Sequence, residues 1–159
     1  MTARAALRAL AAVTAVVYAA LIWVGVTRLM PEAGGQPPLD LRIMGYGVTE
    51  ARAFLEALTD EGRRLWAGPI RWLDTAFPLL MGSLLAALIL RLGRPWLAPV
   101  PFAYTAADLW ENARVREMIA AGPEGLTPAM VEGASAVTQG KFALLAMSVA
   151  LLWAVWRRR

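Results

Sequence analysis

Two stretches of this chain are too long and too free of charge to be soluble surface. Residues 9–27 run for 19 positions without a charged side chain, and residues 75–90 are likewise uncharged. A helix rises about 1.5 Å per residue, so roughly 20 apolar residues cross a hydrocarbon core about 30 Å thick. With no water at that depth, every backbone N–H and C=O must be paired inside the segment, which leaves the α-helix as the form such runs take. Two further segments, 97–120 and 138–156, are apolar over most of their length and carry charge toward one end. The expected fold is therefore all-α: a four-transmembrane-helix bundle, with spans at about 9–29, 70–90, 97–120 and 138–156 and an outer loop at 30–69. The hydrophobic share of 58% and mean hydropathy of +0.51 fit one integral membrane domain of 159 residues.

The first run is longer than the apolar region of a signal peptide and lacks a small-x-small cleavage site after it, so it reads as an uncleaved span. Its Ala11, Ala15 and Ala19 form a ridge on which a neighbouring helix would pack closely. Pro31, Gly34, Gly35, Pro37, Pro38, Gly45 and Gly47 mark a loop. Beyond it, Thr49 is the expected N-cap of a helix whose Ala51, Phe54, Leu55 and Leu58 share a face. This predicts an amphipathic surface helix between spans one and two. Thr59-Asp60-Glu61 is a cap for the next helix. Pro78 predicts a kink in the second span, and Gly82 with Ala86, or Ser83 with Ala87, a close helix contact. Gly122-Pro123-Glu124-Gly125 ends the third span, with a short helix at 126–137 before the fourth. Trp23, Trp66, Trp72, Trp96, Trp153 and Trp156 fall near span ends, where an interfacial belt places them.

Charge sets the orientation. With four spans, both termini and the 91–95 turn share one side, which holds seven arginines and no acidic residue; the other side and the membrane hold nine basic and all twelve acidic residues. By the positive-inside rule both termini are cytoplasmic. The isoelectric point near 10.3 is thus a topology signal and an affinity for membrane lipids with anionic head groups, and nucleic acid is not an expected partner.

The third span carries the chemistry. Tyr104, Asp108, Glu111 and Asn112 stand at i, i+4, i+7 and i+8, one helical face. A charge near the bilayer centre costs at least about 2.5 kcal/mol, so these groups are expected to face a bundle interior or a wet cavity. Helix rise puts Asp74 about 24 Å above Leu90, Glu111 about 21 Å above Leu97 and Lys141 about 22 Å above Trp156. Spans two, three and four thus each present a charged group at one level beneath the outer surface. The expected site is an outward-facing polar cup of Asp74, Tyr104, Asp108, Glu111, Asn112, Lys141 and Gln139, with Arg71 and Arg114 at its rim. A purely structural alternative pairs Glu111 with Lys141, and Asp74 with Arg71 or Arg114, as ion pairs that set helix register.

The chain has no Cys, and no His. Disulfides, thiol nucleophiles, histidine bases and histidine metal ligation are excluded. Gly45-Tyr46-Gly47 is not a phosphate loop, because no Lys-Ser/Thr follows and no strand precedes. Asp-x-x-Glu-Asn is too sparse a ligand set to assign a metal, and no cofactor is expected. Two functional readings follow. The first is a binding module or accessory subunit of a larger membrane complex, whose cup holds a lipid, a lipophilic small molecule or a partner helix. The second is a membrane-embedded enzyme acting on a lipophilic substrate, with Asp108 and Glu111 as its catalytic acid–base pair.

Four local patterns, taken together, resemble a group of small bacterial four-helix membrane proteins to which no activity is assigned. They are Gly45-Tyr46, Leu58-Thr59-Asp60-Glu61-Gly62-Arg63, Asp74-Thr75-Ala76-Phe77-Pro78 and Asp108-Leu109-Trp110-Glu111-Asn112, and the likeness covers roughly residues 40–156. It implies the four-span architecture and a bacterial inner (cytoplasmic) membrane location, and brings no function. This chain is more polar after Asn112 than the resemblance implies, with Arg114, Arg116 and Glu117.

Overall fold

The computed structural model describes residues 2–158. Five helices make up the described chain, with no strand among its residues. Helix α1 (Ala3–Val24) continues through a π-helical turn at Gly25–Leu29 to Glu32, and α2 is Val48–Ala57. Helix α3 runs Asp60–Leu65, passes a second π-helical turn at Trp66–Ile70 and continues Arg71–Arg91. Helix α4 is Pro99–Gly125 and α5 is Pro128–Arg157. Three of the five, α1, α3 and α5, are long and apolar enough to cross a membrane. Helix α4 is not among them, because Asp108, Glu111, Arg114, Arg116 and Glu117 interrupt it.

The long helices pack α1 on α3, α3 on α4 and α4 on α5, with a lesser contact between α3 and α5. Small residues allow the closest approach. Gly82 and Ala86 are buried, and a Cβ on Gly82 would lie 2.0 Å from Thr105 Oγ1 and 3.0 Å from the Pro101 carbonyl. Ser83 is exposed and takes no part. The expected alanine ridge of α1 is also exposed; Thr14 is the buried residue of that helix, its hydroxyl turned back onto the Leu10 carbonyl at 2.8 Å.

Above this bundle sits a packed cap that the sequence did not announce. Leu29, Leu39, Phe54, Leu55, Val115 and Met118 are all but completely buried together. They come from the end of α1, the 33–47 loop, α2 and the upper half of α4. Two expectations are corrected by this core. Helix α2 is not a surface helix resting on lipid: its apolar face is covered by protein. Trp66 is a packing residue of the cap, whereas Trp23, Trp72, Trp96, Trp153 and Trp156 are exposed. The polarity of α4 after Asn112 has the same cause, since Val115 and Met118 face the cap and Arg114 and Glu117 form a partly exposed pair at 2.9 Å.

Local chemistry explains the helix ends. Thr59 Oγ1 accepts from Gly62 N at 3.1 Å, the N-cap expected for α3. The cap of α2 is Gly47 in place of Thr49: the Glu50 carboxylate reaches back to Gly47 N at 2.7 Å. Gly122, at φ +70, adopts a conformation that L side chains avoid, and it bends the end of α4 where a break was expected. The expected short helix at 126–137 is instead the first part of α5, which runs without interruption from Pro128.

Two glycine substitutions separate close packing from helix propensity. Gly82→Ala is expected to destabilise the protein by about 1–3 kcal/mol, because Thr105 and the α4 backbone have to move. Gly140→Ala, where nothing lies within 4 Å of a new Cβ, is expected to be neutral or to stabilise by up to about 1 kcal/mol. Denaturant unfolding of the two variants in detergent micelles measures both.

Candidate functional site

A missing hydrogen bond positions the site. Pro78 has no N–H, so the carbonyl four residues earlier, that of Asp74, loses its helical partner. Asn112 supplies the replacement: its Nδ2 donates to the Asp74 carbonyl at 2.9 Å, and both groups are buried. One turn deeper, Thr105 Oγ1 donates to the Pro78 carbonyl at 2.9 Å, reaching it across the bare Gly82. These two side chains lock α4 against α3 in a register that sets Asp108 and Tyr104 beside Asp74.

A second lock joins α4 to α5. Glu111 is 0% exposed. It accepts a hydrogen bond from Thr138 Oγ1 and forms a short ion pair with Lys141 Nζ. Lys141 also approaches the Asp108 carboxylate at 3.8 Å and lies 5.2 Å from the Phe142 ring centroid. The register pair Glu111–Lys141 is thus present. The pairs of Asp74 with Arg71 or Arg114 are not: Arg71 lies 5.8 Å over the Trp72 ring, and Arg114 binds Glu117.

Asp74, Tyr104, Asp108 and Lys141 line one cavity of about 220 Å³. Most of its remaining wall is apolar and comes from α1, α3 and α5, including Tyr18, Phe77, Met81, Phe142 and Leu145. Tyr18 and Phe77 lean together with ring centroids 5.0 Å apart. Three expected members lie outside it. Glu111 is sealed behind Lys141 and Thr138. Asn112 is committed to the α3 backbone. Gln139 is exposed, against Gly45.

One member was not foreseen. Asp40, from the 33–47 loop, is 7% exposed and lines the same cavity. Leu39, buried in the cap, anchors a single 3₁₀ turn at Leu39–Leu41, and Tyr46 N donates to Ser135 Oγ at 2.9 Å on α5. Between these two anchors the loop folds inward. Asp40 Oδ1 has no hydrogen-bond partner, and Asp40 and Asp74 make no ion pair among the described residues. Burial raises the Asp40 carboxyl above its ordinary range, against a smaller opposing pull from Lys141. Burial also pushes the hydroxyl of Tyr46, beside Thr138, up to about 12. An acid in a Pro/Gly-rich loop reads as solvated surface; only its apolar neighbours, Leu39 and Leu41, hinted at burial.

The site therefore gathers four buried carboxylates, those of Asp40, Asp74, Asp108 and Glu111, around a single lysine. Among the described residues no set of three such groups is arranged to hold a metal ion. No family model matches the chain, and comparison with curated proteins and with solved structures found no match.

Lys141→Met is expected to be the most damaging single change here, at about 3–5 kcal/mol, because it leaves Asp108 and Glu111 buried without a cation. Adding Glu111→Gln should recover part of that loss, with a coupling of about 0.5–3 kcal/mol in a double-mutant cycle of unfolding free energies.

Asp40→Asn tests the loop carboxylate. A carboxyl whose pKa is higher in the folded than in the unfolded state destabilises the fold above that pKa, and the cost is relieved as pH falls through it. The variant should thus be more stable than the parent at neutral pH, with the gap closing on acidification. Unfolding midpoints of both proteins between pH 7 and 4 report the sign.

Proposed function

We propose that this chain is a small integral membrane protein of the bacterial inner membrane that binds a lipophilic small molecule in the cavity between α1, α3, α4 and α5. In this reading α4 makes the fourth crossing. Its lower part, Pro99–Ala107, is uncharged, and its first charged groups, Asp108 and Glu111, turn inward and are buried. Both termini are cytoplasmic. Arg4, Arg8, Arg91, Arg94, Arg157 and Arg158 gather at that end of the helices with exposed Trp96, Trp153 and Trp156, as positive-inside topology and an interfacial belt require.

The observation that carries the reading is the make-up of the cavity. It has apolar and aromatic walls, a few convergent polar groups, and two acidic side chains, Asp40 and Asp74, that form no ion pair among the described residues. A site with mostly apolar lining and a small number of placed polar groups is what small-molecule recognition uses. The acid–base enzyme reading is weaker, because Glu111, the expected partner of Asp108, is closed off from the cavity and held by Lys141 and Thr138. The role of accessory subunit stays within the binding reading, with a partner helix as the alternative occupant of the cleft.

Native mass spectrometry of the protein released from a gentle detergent tests this. The expected result is a retained small apolar molecule, with occupancy reduced at least tenfold by Leu145→Trp, which fills the cavity. Equal retention by parent and variant, or an empty protein in both, overturns the proposal. Retention only within a larger complex transfers the cleft to a partner helix.

A further inference from the structure

The cavity's charge and its aromatic lining together specify the head group it takes. Asp40 and Asp74 stand on it from opposite sources, one from the cap loop and one from α3, and neither is ion-paired among the described residues. Asp40 is buried with one carboxylate oxygen unpartnered. Lys141 is already engaged by Asp108 and Glu111. A cation seated beside such carboxylates favours their charged form and gains from it. The walls beside them are π-rich: Tyr18, Phe77, Tyr104 and Phe142. Aromatic faces beside carboxylates are the surroundings in which organic ammonium ions are held. Alkali and alkaline-earth ions are less suited, since they need several oxygen ligands at close range and no three-carboxylate set is so arranged among the described residues.

The shape of the cleft constrains the rest of the molecule. A volume of about 220 Å³ holds a head group and a few carbons. Asp40 and Leu41 of the cap loop line the cavity at the end nearest the cap. Helix α1 packs chiefly on α3, so the side between α1 and α5, flanked by the half-exposed Tyr18, is the one that faces the bilayer. A tail would leave by that side. Toward the cytoplasmic end the same α1–α3–α5 cleft holds a separate apolar cavity of about 460 Å³. The buried Thr14 and Ser148 lie at the level between the two.

Resting on the binding function proposed above, we infer that the ligand is a single-chain amphiphile with an ammonium head, which sits between Asp40 and Asp74 while its chain passes between α1 and α5 into the bilayer. The probes are decylamine, decanol and decanoate, titrated into the full-length protein in zwitterionic phosphatidylcholine nanodiscs. The readout is the methyl resonance of labelled methionines. Met81 lines the cavity, and Met44, 90% exposed on the cap loop, reports non-specific partitioning.

The expected result is a saturable Met81 shift with decylamine, at least tenfold tighter than with decanol or decanoate, and no saturable Met44 shift. Asp40→Asn with Asp74→Asn should weaken decylamine at least tenfold and leave decanol unchanged. Equal affinity for all three probes, or decylamine binding that the double variant does not weaken, overturns the ammonium assignment while the binding function stands. No saturable Met81 shift with any probe overturns both. If the double variant does not fold, the comparison of the three probes on the parent protein still decides the assignment.

Discussion

Four carboxylates share one lysine inside this protein, and the arrangement of the helices follows from how that imbalance is contained. Lys141 sits between Asp108 and Glu111, so α5 cannot slide or rotate against α4 without exposing a buried charge. Thr138, one turn earlier on α5, holds Glu111 from the same helix. The contact is electrostatic, yet its main effect is geometric. A buried pair of this kind contributes little net stability compared with an apolar one, but it penalises every other register.

On the flank of α4 that meets α3 the same task is done without charge. Pro78 opens the α3 ladder, and Asn112 closes it from the neighbouring helix. Thr105 adds a bond through the gap left by Gly82. One helix is thus fastened to two neighbours by different chemistry, and its inward face is held still. Tyr104 and Asp108 owe their position to both fastenings, whereas Asp40 is placed independently by the cap.

Much of the bundle could be read from residue order, because hydrocarbon imposes a length and a polarity that few other environments do. Helix rise alone set Asp74, Glu111 and Lys141 at one level, but it could not say which of them would line a common cavity. The bond from Asn112 to the Asp74 carbonyl was also legible in principle, since a proline always orphans the carbonyl four residues before it. The cap was not. Its core is assembled from Leu29, Leu39, Phe54 and Met118, which lie far apart in sequence and show no common period. A helix with one apolar face looks the same whether lipid or protein covers it, which is why α2 read as a surface helix. Asp40 was hidden for a related reason: loop composition reports conformational freedom, and says nothing of which way the loop folds.

The cap has a consequence for how any guest would be measured. For an amphiphile bound as proposed, with Asp40 of the cap loop over the cavity, exchange would run through the lipid, where such a molecule is already concentrated by partitioning. Occupancy is then governed by the guest's mole fraction among the surrounding lipids. Two membranes exposed to the same dissolved amount, but differing in lipid content, would fill the protein to different extents.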